Sequence, residues 1–483
     1  MRCLFIGLDA FDPELLRDGA RRGDFPALAK LLAAGRAVET TVDPGTYVGS
    51  LWPTIHTGVD PSRHGIFSWE ELEPGSYRSR LCDERNIGAP SFWSLLSRAG
   101  HRVAVVDVPL CKLDPDINGV HVVNWLTHFK TAEGFATAPA SLAHELEARY
   151  GLDPVPNCDK IDHGDAGRER FTEALLGRVI DRTDYVRGLI ESKAYDQVTV
   201  VYGESHCVGH QCYDLHLAKG DAPDNPVMRV YRAIDQAVGR LVDACPEGCS
   251  ILLLASHGIG PQFDGNHLAD RLVRKVDQRL DGGRPIPLGR RVLDGIEANR
   301  LRRFLGPMAN LLPSLPRRAH ARAFTMTNSN AALGIRVNLV GREPAGLVEA
   351  GDYDAYLDAL QAKLMTTRRP DDGSSAFTEA VRPTALYGTD PMDNKLPDLM
   401  LNWDRSREYT ALEVPGVARI SGYPVTVRTG DHREGGLAVF AGSRGHNAGL
   451  PERMTSAAIA HHLLAMFDIE AEASGRLRRQ PVP

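Results

Sequence analysis

Nowhere in the 483 residues does an apolar run approach the ~20 that a membrane-spanning helix needs. The opening segment MRCLFIGLDAFD has an apolar run of only about six residues and no small-residue cleavage site behind it. It reads as a first strand and not as a signal peptide. Cysteine is sparse: eight residues, at 3, 82, 111, 158, 207, 212, 245 and 249, with no C-x-x-C pair. Cys245 and Cys249 come nearest to a metal-ligand spacing, but nothing partners them, and a reduced, cytoplasmic chain is expected. A basic excess is lacking as well. Lys+Arg number 56 against 62 Asp+Glu, a net charge of -6, which argues against a dedicated nucleic-acid binder. There is no internal repeat and no low-complexity tract. With 43% apolar and 24% charged residues, disordered, collagen-like and coiled-coil classes are excluded.

What is present is alternation. Residues 3–8, 103–108, 197–202 and 250–255 are short, almost continuously apolar runs, suited to strands of a parallel sheet buried on both faces. Helix-like stretches separate them, at 26–34, 91–99, 141–149, 169–192 and 227–244. The pattern predicts an α/β fold with a doubly wound, mostly parallel sheet. Composition changes near Gly282. From Arg290 to Arg322 there are eight Arg, no Lys and only two acids, Asp294 and Glu297. A helical insertion or cap with a solvated Arg face is the simplest account; peripheral contact with an anionic or membrane surface is the sharper one. Beyond it, 333–340 and 397–403 read as strands, 353–365 as a helix, 437–441 as a strand and 456–466 as a closing helix. The expected organisation is therefore a first core part at 1–281, an Arg-rich helical insertion at 282–330, and a core continuation at 331–483.

In a doubly wound sheet, ligands sit beyond the carboxyl ends of the strands. Asp9 follows the first run, Glu204, His206 and His210 follow 197–202, and Ser256 and His257 follow 250–255. Three strand ends carrying such residues point to a shared site. With His267, Asp431 and His432 they form a donor set of the kind zinc takes, all in loop-like positions. His206 and His210 are four apart, so one helical turn puts both rings on one face. The segment 46–58, TYVGSLWPTIHTG, offers hydroxyls beside a helix start. Thr46 or Ser50 there is either a nucleophile near the positive helix end or simply a cap.

Order and spacing resemble the alkaline phosphatase superfamily, in particular its type I phosphodiesterase/nucleotide pyrophosphatase branch. The resemblance is carried by GLDAFDPELL at 7–16, TGVDPSRHGIF at 57–67, GESHCVGH at 203–210, ASHGIGP at 255–261 and TGDHREGGL at 429–437. INGVHV (117–122), VNLVGREPAG (337–346) and LPDLML (396–401) extend it over nearly the whole chain. It implies an alkaline-phosphatase-like core and two divalent ions, with zinc expected and manganese or magnesium as alternatives. On the matching positions, His210 and His432 hold one ion with His206 or Glu204, and Asp9 and His257 belong to the other.

Three positions depart from that pattern. His206 and Ser256 stand where the family carries Asp, and Val48 stands where it carries the nucleophile. Ser256 is then a poor ligand for which His267 or Asp264 would compensate. The nucleophile is expected at Thr46, with Ser50 as runner-up and metal-bound hydroxide as the alternative. The C-x-P-x-R block of sulfatases is absent. The expected activity is metal-dependent hydrolysis of phosphodiester, pyrophosphate or phosphomonoester bonds in a small phosphorylated or anionic substrate. A phosphotransferase or mutase of the superfamily and a noncatalytic metal- and anion-binding protein are the alternatives. Substrate identity and oligomeric state are not legible.

Overall fold

The computed structural model describes residues 1–43, 46, 49–127, 132–282, 317–328, 330–424, 426–442, 449–471 and 477–479. Its centre is a nine-stranded sheet built from β1 (Cys3–Leu8), β2 (Arg36–Thr41), β3 (Val103–Val106), β4 (Gly119–Val123), β5 (Ala136–Ala138), β6 (Gln197–Tyr202), β7 (Ser250–Ala255), β8 (Gly436–Ala441) and β9 (Arg453–Thr455). The spatial order is β9-β2-β8-β7-β1-β6-β3-β4-β5. From β7 across β1, β6 and β3 to β4 every pairing is parallel, while β8 runs antiparallel to both β7 and β2, and β5 antiparallel to β4. All four apolar runs read from the sequence are strands of this sheet. β1 pairs in register with both β6 and β7, which brings Leu8, Tyr202 and Ala255 level. The residues that follow them therefore emerge side by side.

Both faces of the sheet are covered. Leu4, Ile6 and Leu8 pack toward the helices α2 (Asp165–Glu191) and α4 (Pro226–Asp243), whose Leu175, Val179, Ile234 and Val238 join the same core. Cys3 and Phe5 point the other way, onto Trp52 and Ile55 of α1 (Leu51–Thr57) and onto Phe92 and Leu96. Each such aliphatic or aromatic side chain contributes roughly 1.5–3 kcal/mol of burial. Gly7 has a positional reason. A Cβ there would lie 2.5 Å from Trp52 Cη2, so only a glycine lets the indole lie against β1.

A second, smaller core lies outside the large sheet. The strands Ala323–Met326, Ala332–Val337, Leu399–Trp403 and Phe377–Val381 form an antiparallel sheet in that order. The helices α5 (Asn266–Leu280) and Tyr353–Leu364 pack on it through Leu272, Val276, Leu357 and Leu360. Most of the expected Arg-rich insertion, 283–316, lies outside the described residues. Its described remainder, the turn Arg317–His320 and the strand Ala323–Met326, belongs to this small-sheet layer. Arg318 donates to the Tyr77 carbonyl at 2.8 Å, and Arg322 faces Asp277 while lying over the Tyr356 ring.

Candidate metal centre and its cavity

Three histidines meet at the carboxyl edge of the large sheet. His206 and His210 are on α3 (Glu204–Lys219), which starts two residues after β6, and so are helical and not in a loop. His432 lies on the strand Gly430–Arg433, which pairs antiparallel with Gly258–Pro261 and places Ile259 opposite His432. This two-stranded ribbon sits hard against α3. A Cβ on Gly430 would collide with the carbonyl of Gly209, so glycine there is what admits the approach. His210 Nε2 is 3.1 Å from His206 Nε2 and 3.1 Å from His432 Nε2, and all three residues are buried.

The donor set fits a divalent ion. His210 Nδ1 donates to the Gly430 carbonyl at 2.6 Å, which fixes the ring so that Nε2 presents its lone pair to the other two histidines. Burial, then the charges of Arg428, His206 and His432, push the His210 pKa well below its ordinary value, so the ring is neutral, as a ligand must be. Metal–nitrogen bonds of ~2.0–2.1 Å in tetrahedral array separate nitrogens by about 3.3 Å. The spacing found is close to that.

Asp9 and His257 stand beside this trio, at the ends of β1 and β7 respectively. The His257 and His432 ring centroids are 4.5 Å apart. Asp9 Oδ1 accepts from Trp52 Nε1 at 2.8 Å and from Ser256 Oγ at 3.2 Å, and lies 3.5 Å from His257 Nε2. Ser256 Oγ also accepts from the Ala10 amide at 3.2 Å. His257 Nδ1 faces the Gly258 carbonyl at 3.0 Å. Burial pushes the Asp9 carboxyl up, but the hydrogen bond from His257, the charges of His206 and His257 and the Trp52 bond outweigh it. Asp9 is held below the usual carboxylate range.

Other expected residues are placed differently. Glu204 is no partner of the histidines: both its oxygens accept from Arg182 Nη1, at 2.8 and 2.7 Å, in a fully buried pair that Asp107 extends. An acid beside two histidines reads as a ligand in sequence; the arginine that claims it comes from α2. His267 is on α5, with Nε2 3.3 Å from the Gly422 carbonyl. Asp264 caps the Asn266 amide and sits near Asp431; burial, then that neighbouring charge, raises its pKa to about 6. Thr46 Oγ1 donates to the Asp43 carbonyl at 2.7 Å, and Ser50 Oγ donates to the Thr46 carbonyl. Both hydroxyls line a separate cavity of about 280 Å³ with Asp43, Thr54 and Asp60. Val48 lies outside the described residues.

The main cavity, about 640 Å³, is floored by Asp9, His206, His257 and His432. One wall is apolar, from Leu51, Trp52, Trp69, Pro109 and Leu110. Arg428 also lines the cavity while paired with Asp159 at 2.8 and 2.6 Å. The sequence reading passed over Trp52 and Arg428. Trp52 was available in the glycine of β1; Arg428 lay two residues before the Gly430-Asp431-His432 segment, with no periodicity to mark it.

An α/β architecture with a mixed, mostly parallel nine-stranded sheet is that of alkaline-phosphatase-superfamily structures. Within that class the chain belongs to the type I phosphodiesterase / nucleotide pyrophosphatase family, whose model matches residues 3–412. Among curated proteins none matches it by sequence. Phosphonoacetate hydrolase from Sinorhizobium meliloti 1021, in complex with phosphonoformate, is similar over 96% of each chain at 16% identity and a TM-score of 0.54. The same hydrolase with phosphonoacetate gives 15% identity and a TM-score of 0.55, again over 96% of each chain. Murine ectonucleotide pyrophosphatase / phosphodiesterase 5 aligns over 100% of this chain and 96% of its own, at 14% identity and a TM-score of 0.49. At these identities the likeness is one of fold.

Proposed function

We propose that the chain is a metal-dependent hydrolase of phosphoric ester bonds in small organic substrates. The observation that carries this is the convergence of three buried imidazoles, two of which, His206 and His432, line the 640 Å³ cavity, within a family of phosphodiesterases and pyrophosphatases. His206, His210 and His432 hold the ion, and an all-imidazole donor set favours zinc over the oxygen-seeking magnesium or manganese. Such an ion supplies Lewis acidity toward a phosphoryl oxygen and lowers the pKa of water. The chain's own residues do the rest. Arg428, its charge balanced by Asp159, offers guanidinium N–H donors to an incoming anion, and the apolar wall of Trp52, Trp69 and Leu110 takes the organic group of the ester. His257, oriented between Asp9 and the Gly258 carbonyl, stands within proton-transfer reach of the cavity floor. None of the eight cysteines is in a disulfide, which motivates a reducing, cytoplasmic setting.

A second reading has a specific observation behind it. Thr46 and Ser50 spend their hydroxyl protons on backbone carbonyls, which suits a protein that binds an anion at the metal without turning it over. Turnover separates the two. Zinc-loaded protein should hydrolyse at least one of an aryl phosphodiester, an aryl phosphomonoester, a dinucleoside pyrophosphate and a phosphonate, and His210→Ala should lose at least a hundredfold. No turnover on any of the four with metal bound would favour the binding protein. Full turnover by His210→Ala would remove the assigned centre.

A further inference from the structure

Resting on that reading, we infer that the centre holds one divalent ion per chain, and that the Asp9–Ser256–Trp52–His257 half is a hydrogen-bonded unit and not a second ion site. Among the described residues, His206, His210 and His432 are the single set of three or more His, Cys, Asp or Glu whose ligand atoms converge. Asp9 and His257 form no such converging set of three with any other donor among the described residues, although the His432 ring lies beside His257. The position that would supply one is Ser256, a neutral hydroxyl, with its proton directed to Asp9 and its oxygen accepting from the Ala10 amide.

Asp9 is itself committed. An indole N–H and a hydroxyl already point at Oδ1, at 2.8 and 3.2 Å, so that oxygen is spent on neutral donors and Asp9 could offer a cation Oδ2 alone. Trp52 is not free to turn away, because it is held against Gly7 of β1. The substitutes expected from the sequence are engaged elsewhere: Glu204 is locked to Arg182, His267 Nε2 faces the Gly422 carbonyl, and Asp264 caps the Asn266 amide. Charge argues in the same direction. A single divalent ion on three imidazoles is nearly balanced by Asp9, whereas a second would add two positive charges where positions 206 and 256 supply an imidazole and a hydroxyl and no carboxylate.

The unit thus has a different task. It fixes the His257 ring beside the histidine trio, with Asp9 as the oriented acceptor and Trp52 and Ser256 holding Asp9. His257 and Asp9 are positioning groups relative to the ion, not its ligands.

Elemental analysis of protein dialysed against zinc, with calorimetric titration of the apoprotein, tests this without reference to turnover. One ion per wild-type chain is expected. His210→Gln should lower occupancy at least tenfold, while His257→Gln should keep one ion with affinity within about tenfold of wild type; circular dichroism confirms that each variant is folded. Two ions in the wild type, or loss of the ion in folded His257→Gln, would overturn the inference while leaving the hydrolase reading intact. No ion in the wild type would overturn it whatever the turnover. One ion without turnover on any substrate would keep it and defeat the hydrolase reading instead.

Discussion

Glu204→Gln distinguishes a structural acid from a metal ligand, and the structure sets its size. Glu204 is fully buried and accepts two bonds from Arg182 Nη1, whose guanidinium also faces Asp107 at 3.0 Å and donates to the Leu126 carbonyl. Removing one partner of a buried ion pair costs about 3–5 kcal/mol, since the remaining charge stays out of water. Asp107 still balances Arg182 here, and glutamine keeps the shape and one acceptor, so the lower end, about 3 kcal/mol, is expected. Unfolding entropy near 2.1 cal/mol/K per residue gives about 1 kcal/mol/K for a cooperative unit of this size, so Tm should fall by about 3 °C. Calorimetry measures that fall, and zinc titration of the same sample should show affinity unchanged within threefold. A tenfold loss of zinc affinity with Tm unmoved would refute the argument and restore Glu204 as a ligand.

Three further outcomes follow from the geometry. Burial holds His56 at about 4 and His64 and His121 at about 3, so the unfolded chain takes up protons that the native chain refuses. Stability should therefore fall as pH drops below about 6.5, by up to about 1.4 kcal/mol per pH unit for each histidine, and urea midpoints at pH 7.5, 6 and 5 that coincide would contradict this. Thr46→Ala and Ser50→Ala should each keep turnover within about threefold, and a chiral phosphorothioate ester should react with inversion at phosphorus; retention would show a covalent intermediate. Gly7→Ala should cost about 1–3 kcal/mol by driving its Cβ into Trp52 and Val201, with a shift in tryptophan emission, and unchanged stability and emission would mean that the indole is not held as described.

The central strands are legible because burial on both faces leaves nearly unbroken apolar runs, and the strand ends bring Asp9 and His257 to one cavity with His206 and His432. The antiparallel side of the sheet was harder. β2 reads RAVETT, with alternating exposure and no apolar run, and only its pairing with β8 makes it a strand. Beyond the His206–His210 spacing, helix α3 gives no helical signal in sequence, because its buried first half carries Glu, Ser, His and Cys, residues that give no amphipathic stripe. Hydroxyls were the least legible. The i, i+4 bond from Ser50 to the Thr46 carbonyl, and the Thr46 bond to Asp43, satisfy locally the groups that spacing alone offered as nucleophiles.

Charge at the centre carries one more consequence, for the kind of ester that turns over. Arg428 is balanced by Asp159, and Arg405 Nη2 lies 3.8 Å from Asp431 Oδ2, so neither pair adds net charge to the cavity floor. What remains is at most about +1, from one divalent ion on three imidazoles with the carboxylate of Asp9, and Asp264 in the cavity lining, raised only to about 6 and so ionised at pH 8, lowers it further. A phosphodiester, with a single negative charge, neutralises it. A phosphomonoester near pH 7 carries close to two, and the surplus unit charge at about 4 Å from Asp9 is worth roughly 4 kcal/mol of repulsion at an effective dielectric of 20. Even if solvent in the open cavity removes most of that, a tenfold difference needs only about 1.4 kcal/mol. The expected result is a kcat/KM for bis(4-nitrophenyl) phosphate at least tenfold above that for 4-nitrophenyl phosphate at pH 8, narrowing as the pH falls toward 6 and the monoester loses its second charge. A monoester preference at pH 8 would mean that the floor carries more positive charge than one ion provides.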